Sequence, residues 1–313
     1  MPCENPKIGK LQAYSKIDEK TGEIIPTFRL ILKQEYDGKN DIIIPCGKCS
    51  FCKNAKKKDW ATRLTMESEN YKEKFFLTLT YDEKNLPKNG SLQKKDLQDF
   101  FKRLRRHIEP TKIKYFAVGE YGERTLRSHY HAIIYGFFPK DIQPVKNLKG
   151  RILFTSPSIC KIWGKGQIGI STVNYQTCAY VARYVLKKAY DIDKQFYKLT
   201  GLTPEFQVSS KRPAILGQLE PKELLKILKD EHIILPARKP IIARIPQYLL
   251  SKIKKYWRLE YNKFAEKQQT KAKQKIINQL KETDLNFWHN YKKNIQIEKQ
   301  KQKRALQNSK NIF

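Results

Sequence analysis

His129-Tyr-His-Ala-Ile-Ile-Tyr-Gly-Phe-Phe138 is the stretch from which the fold can be read. After the histidine pair it is apolar at odd and even positions alike, which predicts a central strand buried on both faces. Residues i and i+2 of a strand share a face, so His129 and His131 turn both imidazoles the same way. Upstream, 120–128 reads as a loop and 112–118 as a strand, closed on its N-terminal side by Pro110. Before Pro110 lies a helix opened by Ser91, with Leu97, Phe100, Phe101, Leu104 and Ile108 at helical spacing. Its other face carries Lys94, Lys95, Lys102, Arg103 and Arg106. Further upstream, 75–81 alternates as a strand, followed by a turn at 86–90. Downstream, 167–173 reads as a strand, and Asn174 is a candidate N-cap for a helix through residue 188. The order β-α-β-β-β-α, with tight connections, predicts an α+β domain: a central antiparallel sheet with helices packed on one side.

This core, residues 61–190, is preceded by an N-terminal cysteine-rich segment, 1–60, that ends in the basic stretch Lys53 to Lys58. A less regular, basic, loop-rich extension follows at 191–250. The tail, 251–313, is rich in Lys and Gln. It marks a helix face with Ile253, Trp257, Tyr261 and Phe264 and then fades towards disorder.

Lysine and arginine number 63 against 31 acidic residues, a net charge of +32. Such a chain is expected to neutralise phosphates with salt-sensitive affinity, and a 12% aromatic content supplies stacking groups for unpaired bases. No apolar run approaches the roughly 18 residues of a membrane span, so no membrane partner is expected. The start, Met1 to Lys7, lacks the apolar stretch of a secretory signal. The six cysteines then point to reduced thiols or a metal site in a cytoplasmic protein rather than to disulfides.

Two of only five histidines flank a single position, Tyr130, and can meet one divalent ion. A third ligand is needed. Glu120 is the first candidate, since antiparallel pairing across the short loop returns it beside the histidines; Glu123 and Asp82 are weaker ones. Two histidines and a carboxylate also describe non-haem iron oxygenases and some zinc hydrolases, but those readings leave the charge and the tyrosines without a role. About fifty residues on, Tyr180, Arg183, Tyr184 and Lys187 occupy i, i+3, i+4 and i+7 of one helix face. A phenol with a pKa near 10 needs help to attack at neutral pH. Lys187 is the candidate for lowering that pKa, with Arg183 placed to grip a neighbouring phosphate and Lys188 as a second cation. Arg127, Lys211 and Arg212 are further candidate DNA contacts. For phosphate chemistry Mg²⁺ or Mn²⁺ is the expected ion.

Four segments in this order carry a resemblance: Phe76-Leu-Thr-Leu-Thr-Tyr-Asp82, Gly119-Glu-Tyr-Gly122, His129-Tyr-His131 and Tyr180-Val-Ala-Arg-Tyr184-Val-Leu-Lys-Lys188. The chain resembles the HUH-type rolling-circle replication initiators of microviruses. The similarity is closer to the gokushovirus-like replication proteins, which also carry a segment like Pro45-Cys-Gly-Lys-Cys-Ser-Phe-Cys52. That resemblance implies a ferredoxin-like or RRM-like palm cradling one metal ion and site-specific nicking of single-stranded or supercoiled origin DNA. It implies a 5′-phosphotyrosine with a free 3′ hydroxyl, two tyrosines that alternate between nicking and joining, and release of circular single strands. A host helicase and DNA polymerase are the implied partners, in the host bacterial cytoplasm. Ser128 departs from the proline that many relatives carry before the histidine pair. The competing readings are a non-catalytic single-strand-binding or packaging protein and a plasmid or transposon nickase of the same chemistry.

Cys46-x-x-Cys49-x-x-Cys52, with Cys3 as a distant fourth thiol, suggests a structural Zn²⁺ site bracing the N-terminal section. Inert thiols and an iron–sulfur cluster are the alternatives. Cys160 and Cys178 read as small core residues.

Overall fold

The structure is a computed structural model and describes residues 3, 7–17, 24–33, 41–122, 125–146, 152–184, 191–210, 219, 221–237 and 239–281. The chain divides into two compact units, 56–264 and 1–55 together with 265–313. The second unit contains a three-stranded antiparallel sheet of β1 (Lys7–Ile17), β2 (Ile24–Lys33) and β3 (Asp41–Ile44), in the order β2-β1-β3. Helix α1 (Ser50–Glu69) runs across the boundary between the units, as does the last described helix (Arg258–Lys281).

The larger unit is built on a seven-stranded sheet of β4 (Lys74–Thr80), β5 (Lys114–Tyr121), β6 (Ser128–Tyr135), β7 (Gln143–Lys146), β8 (Ile152–Thr155), β9 (Ile168–Ser171) and β10 (Phe206–Ser209). The strand order is β10-β5-β6-β4-β9-β8-β7, and every pairing is antiparallel. The strand bearing the histidines is central, as its two apolar faces require. Those faces also explain a departure from the expected one-sided packing, because a strand that is apolar on both sides needs cover on both. Helices α2 (Lys94–His107) and α3 (Pro157–Trp163) close one face, where Leu97, Phe100, Phe101, Leu104 and Trp163 pack on Leu77, Leu79, Tyr130, Ala132 and Ile134. On the other face Phe76, Phe116, Val118 and Ile133 meet Leu64 of α1 and Cys178 and Val181 of α4 (Tyr175–Ala182).

Several boundaries differ from the sequence reading. Helix α2 starts at Lys94, not at Ser91, because the Ser91 hydroxyl accepts from the Thr203 amide at 2.8 Å and so serves a remote loop instead of capping the helix. Residues 191–250 contribute α5 (Asp191–Thr200), edge strand β10, α6 (Pro221–Asp230), the hairpin β11 (Ile233–Leu235) and β12 (Ile241–Ala243), and α7 (Gln247–Tyr256). Arg258–Lys281 is then α8. Among the described residues no helix is long and apolar enough to cross a membrane.

Gly166 is where the chain turns from α3 into β9. Its φ of +143° and its closeness to the backbone of Thr80 and Asp82 leave no room for a Cβ. The Trp163 indole N–H donates to the Thr80 carbonyl at 2.9 Å and pins the same corner.

Candidate active site

The register of the central strands places the candidate ligands. Glu120 is not in a loop: it lies within β5 directly opposite His129, and Thr78 of β4 lies directly opposite His131. Directly opposed residues of an antiparallel pair share a face. Glu120 Oε1 is 2.8 Å from His129 Nε2 and 3.4 Å from His131 Nε2. The Nδ1 of each ring is held from behind, by the Arg127 carbonyl for His129 and by the Thr78 hydroxyl for His131, both at 3.0 Å. A ring that donates Nδ1–H to a carbonyl keeps its lone pair on Nε2, the arrangement found behind metal-binding histidines. Phe76 stacks on the His131 ring, with 5.3 Å between centroids.

The three side chains each offer a ligand atom within 4.8 Å of the others. Glu120 is buried, yet its second oxygen, Oε2, has no hydrogen-bond partner among the described residues. A buried carboxylate oxygen left in that state is costly unless a cation meets it, so these residues fit a divalent ion. Burial alone would raise the Glu120 pKa, but the hydrogen bonds from both histidines outweigh it and hold the carboxyl well below its usual range. For His129, burial is outweighed by the Glu120 carboxylate, and the pKa stands above the ordinary 6.5. For His131, burial prevails and the pKa falls, so this ring is kept neutral.

The tyrosine helix lies over this end of the sheet. Asn174 caps α4 as expected: its side chain accepts from the Thr177 amide at 2.9 Å, and the Thr177 hydroxyl accepts from the Asn174 amide at 2.9 Å. Cys178 and Val181 are buried beneath, which fixes the rotation of the helix and brings Tyr180 to the ligands. The Tyr180 hydroxyl donates to Glu120 Oε1 at 2.8 Å and lies 3.4 Å from His131 Nε2. The Tyr184 hydroxyl lies 3.5 Å from that of Tyr180. Burial, and then the negative charge of Glu120, push both phenols well above the ordinary tyrosine range. Neither would attack without a group that offsets this. The Arg183 guanidinium works in that direction, sitting 4.3 Å from the Tyr180 ring centroid and 5.7 Å from that of Tyr184. Its Nε is buried without a hydrogen-bond partner among the described residues.

Of the other expected residues, Arg127 is engaged by Glu83 at 2.6 Å and by the Tyr81 carbonyl at 2.8 Å. Asp82, a weaker candidate ligand, is instead taken up in a local turn in which it accepts from the Asn85 amide at 2.8 Å. Glu123, Lys187, Lys188, Lys211 and Arg212 lie outside the described residues. Cys3, Cys46, Cys49 and Cys52 come together, with their sulfurs within 4.8 Å of one another. Three residues near the site were not singled out by the sequence reading. Thr78 supports His131. Glu205 is buried, accepts from the Tyr121 amide at 3.2 Å and helps to raise the His129 pKa. Lys57 of α1 is half-buried; burial lowers its pKa, and repulsion from the nearby Arg183 lowers it further. Lys57 lies in the basic stretch and Thr78 in one of the four quoted segments, but nothing local distinguishes either from its neighbours, and nothing local marks Glu205.

Comparison with known proteins gives a consistent picture. The family profile described as Replication-associated protein ORF2/G2P matches residues 74–189, the span that carries the triad and both tyrosines. The replication-associated protein ORF2 of Spiroplasma virus 4 is 30% identical over 240 residues, 72% of this chain and 73% of that protein. The replication-associated protein ORF4 of Chlamydia phage 1 is 37% identical over 153 residues, 46% of this chain and 38% of that protein. The replication-associated protein VP4 of Bdellovibrio phage phiMH2K is 32% identical over 203 residues, 61% of this chain and 62% of that protein. No solved structure matches the chain.

Proposed function

Because the chain belongs to the replication-associated proteins of microviruses, we propose that it initiates rolling-circle replication by nicking and rejoining single-stranded origin DNA. One observation carries the chemistry: a tyrosine hydroxyl stands a single hydrogen bond from a carboxylate that is flanked by two imidazole Nε2 atoms. His129, His131 and Glu120 would hold Mg²⁺ or Mn²⁺. Such an ion would withdraw charge from the non-bridging oxygens of the scissile phosphate.

In this reading the phenolic oxygen of Tyr180 or Tyr184 attacks phosphorus. The new bond joins that oxygen to the 5′ phosphate, and the bond to the 3′ oxygen breaks. The phenol loses a proton and the 3′ oxygen gains one, so nothing is consumed. One phosphodiester has replaced another, which makes the step reversible and lets a free 3′ hydroxyl later displace the tyrosine. Arg183, with its unmatched buried Nε, would hold the phosphate and offset the charge that develops on the attacking oxygen. The closeness of the two hydroxyls would let each tyrosine act in turn, one opening the origin and the other cutting it again after a circuit. The free 3′ end would prime a host polymerase behind a host helicase, in the host cytoplasm. That all three relatives are phage proteins favours this setting over a plasmid or a transposon.

The test mixes the purified chain and Mn²⁺ with labelled single strands tiled across its source genome, and resolves the products on a denaturing gel. The expected result, from one tile, is a downstream 3′ fragment linked to protein through its 5′ phosphate, lost when chelator is added. Tight binding to every tile with no adduct would overturn the proposal and leave a single-strand-binding or packaging protein.

A further inference from the structure

The cysteine cluster stands apart from the chemistry above, and its geometry separates the alternatives that its spacing leaves open. Cys3 Sγ is 3.8 Å from Cys49 Sγ and 3.7 Å from Cys52 Sγ, and Cys46 Sγ is 4.0 Å from Cys52 Sγ. Four thiolates arranged tetrahedrally at about 2.3 Å from one zinc ion stand about 3.8 Å apart, the edge of that tetrahedron. A disulfide would bring a pair to about 2.05 Å, and none of the four cysteines is disulfide-bonded. A polynuclear iron–sulfur cluster divides the four sulfurs between two or four irons and so spreads the set further apart.

The surrounding backbone suits thiolates. The amides of Lys48 and Cys49 donate to Cys46 Sγ at 3.4 and 3.3 Å, and that of Cys46 donates to Cys3 Sγ at 3.1 Å. Gly47, with φ of +75°, makes the bend that lets two successive amides face one sulfur. Cys3 and Cys49 are buried with Phe51 packed against them, and four thiolates fill a tetrahedral shell, with no open ligand position of the kind a catalytic ion keeps.

The position of the cluster gives it a purpose. Strands β1 and β3 pair as far as Lys7 opposite Ile44. Cys3 precedes that rung and Cys46 follows it, so the sulfurs lie just beyond the open end of the ladder. A three-stranded sheet buries little apolar surface by itself and gains from a covalent or metal staple. We propose that Cys3, Cys46, Cys49 and Cys52 bind one zinc ion as a closed structural tetrathiolate that clamps the β1–β3 ladder.

The test measures metal content in the full chain and does not depend on DNA cleavage. Elemental analysis of protein purified from zinc-supplemented culture and washed with chelator should find one zinc per chain. His129→Ala/His131→Ala should keep that zinc. Cys49→Ser and Cys52→Ser should each lose it. In case the serine variants fail to fold, the native chain is also exchanged with Co²⁺, which should give the intense thiolate-to-cobalt charge transfer and tetrahedral d–d bands of a Cys₄ site. Zinc lost in the histidine variant but kept in the cysteine variants would overturn the proposal. So would an iron chromophore, two disulfides by mass spectrometry, or four freely reactive thiols in metal-replete protein.

Discussion

Tyr180 donates its hydroxyl proton to Glu120 Oε1 at 2.8 Å, so a candidate nucleophile and a candidate metal ligand share one hydrogen bond across 60 residues of sequence. The Tyr180 hydroxyl also lies 3.4 Å from His131 Nε2, and the Tyr184 hydroxyl lies 3.5 Å from that of Tyr180. The two phenols are therefore expected to be unequal. In single-turnover assays on an origin strand, Tyr180→Phe should abolish the first cleavage. Tyr184→Phe should still cleave once but fail to release a joined circle. Equal first-cleavage rates in the two variants would contradict this order.

Thr78 touches no candidate substrate atom, yet it fixes the His131 ring through Nδ1. Partners behind metal-bound histidines typically change metal affinity or activity by about 10–100-fold. Thr78→Val keeps the shape of the side chain and removes the hydrogen bond. It should weaken Mn²⁺ binding within that range, as read by titration calorimetry, with the circular dichroism spectrum unchanged. Native affinity in Thr78→Val would show that the ring is oriented by packing on Phe76 alone.

The pKa of His129 carries a pH prediction. Burial lowers it, the Glu120 carboxylate raises it more, and the net position is above 6.5. In the metal-free site a proton on Nε2 is thus favoured, and a metal ion must displace it. Affinity for Mn²⁺ should therefore fall as pH drops through that raised value, with the loss beginning on the neutral side of 6.5. His131 is held neutral by burial and should add no such loss there. An affinity that stays flat between neutral pH and pH 6 would mean that His129 is not a ligand.

Gly166 gives a test of the frame. With φ of +143° and no space beside the backbone of Thr80 and Asp82, Gly166→Ala combines backbone strain with overpacking. Together these should cost about 2 kcal/mol or more. The urea midpoint reports it, and an unchanged midpoint would show that the corner can move.

The parts of this fold that were legible in the sequence are those with strong local pattern. The doubly apolar strand at His129, the amphipathic α2 and the Asn174 cap emerge where expected. Helix α1 was hidden because Lys53 to Lys58 read as a basic stretch, and its stabilising contacts come from remote chain, such as Lys114 paired with Glu67 at 3.0 Å. Strands β7 and β8 have four residues each, too few for alternation to register. At the site, His129, His131 and Tyr180 were legible because each sits on an element with a readable face; Glu120 was legible only through the short connection that returns it beside the histidines, since its position read as loop. Thr78 and Glu205 were not, since a threonine in a strand looks like any strand former and Glu205 meets Tyr121 only when β10 joins β5.

The most direct test of the central claim is to find the atom that carries the DNA. A covalent adduct formed with Mn²⁺ on the cleaved origin strand would be digested with protease and nuclease, then sequenced by tandem mass spectrometry. The account predicts a nucleotide remnant on Tyr180 after the first cleavage. A remnant on any other residue, or cleavage that persists in Tyr180→Phe/Tyr184→Phe, would contradict it.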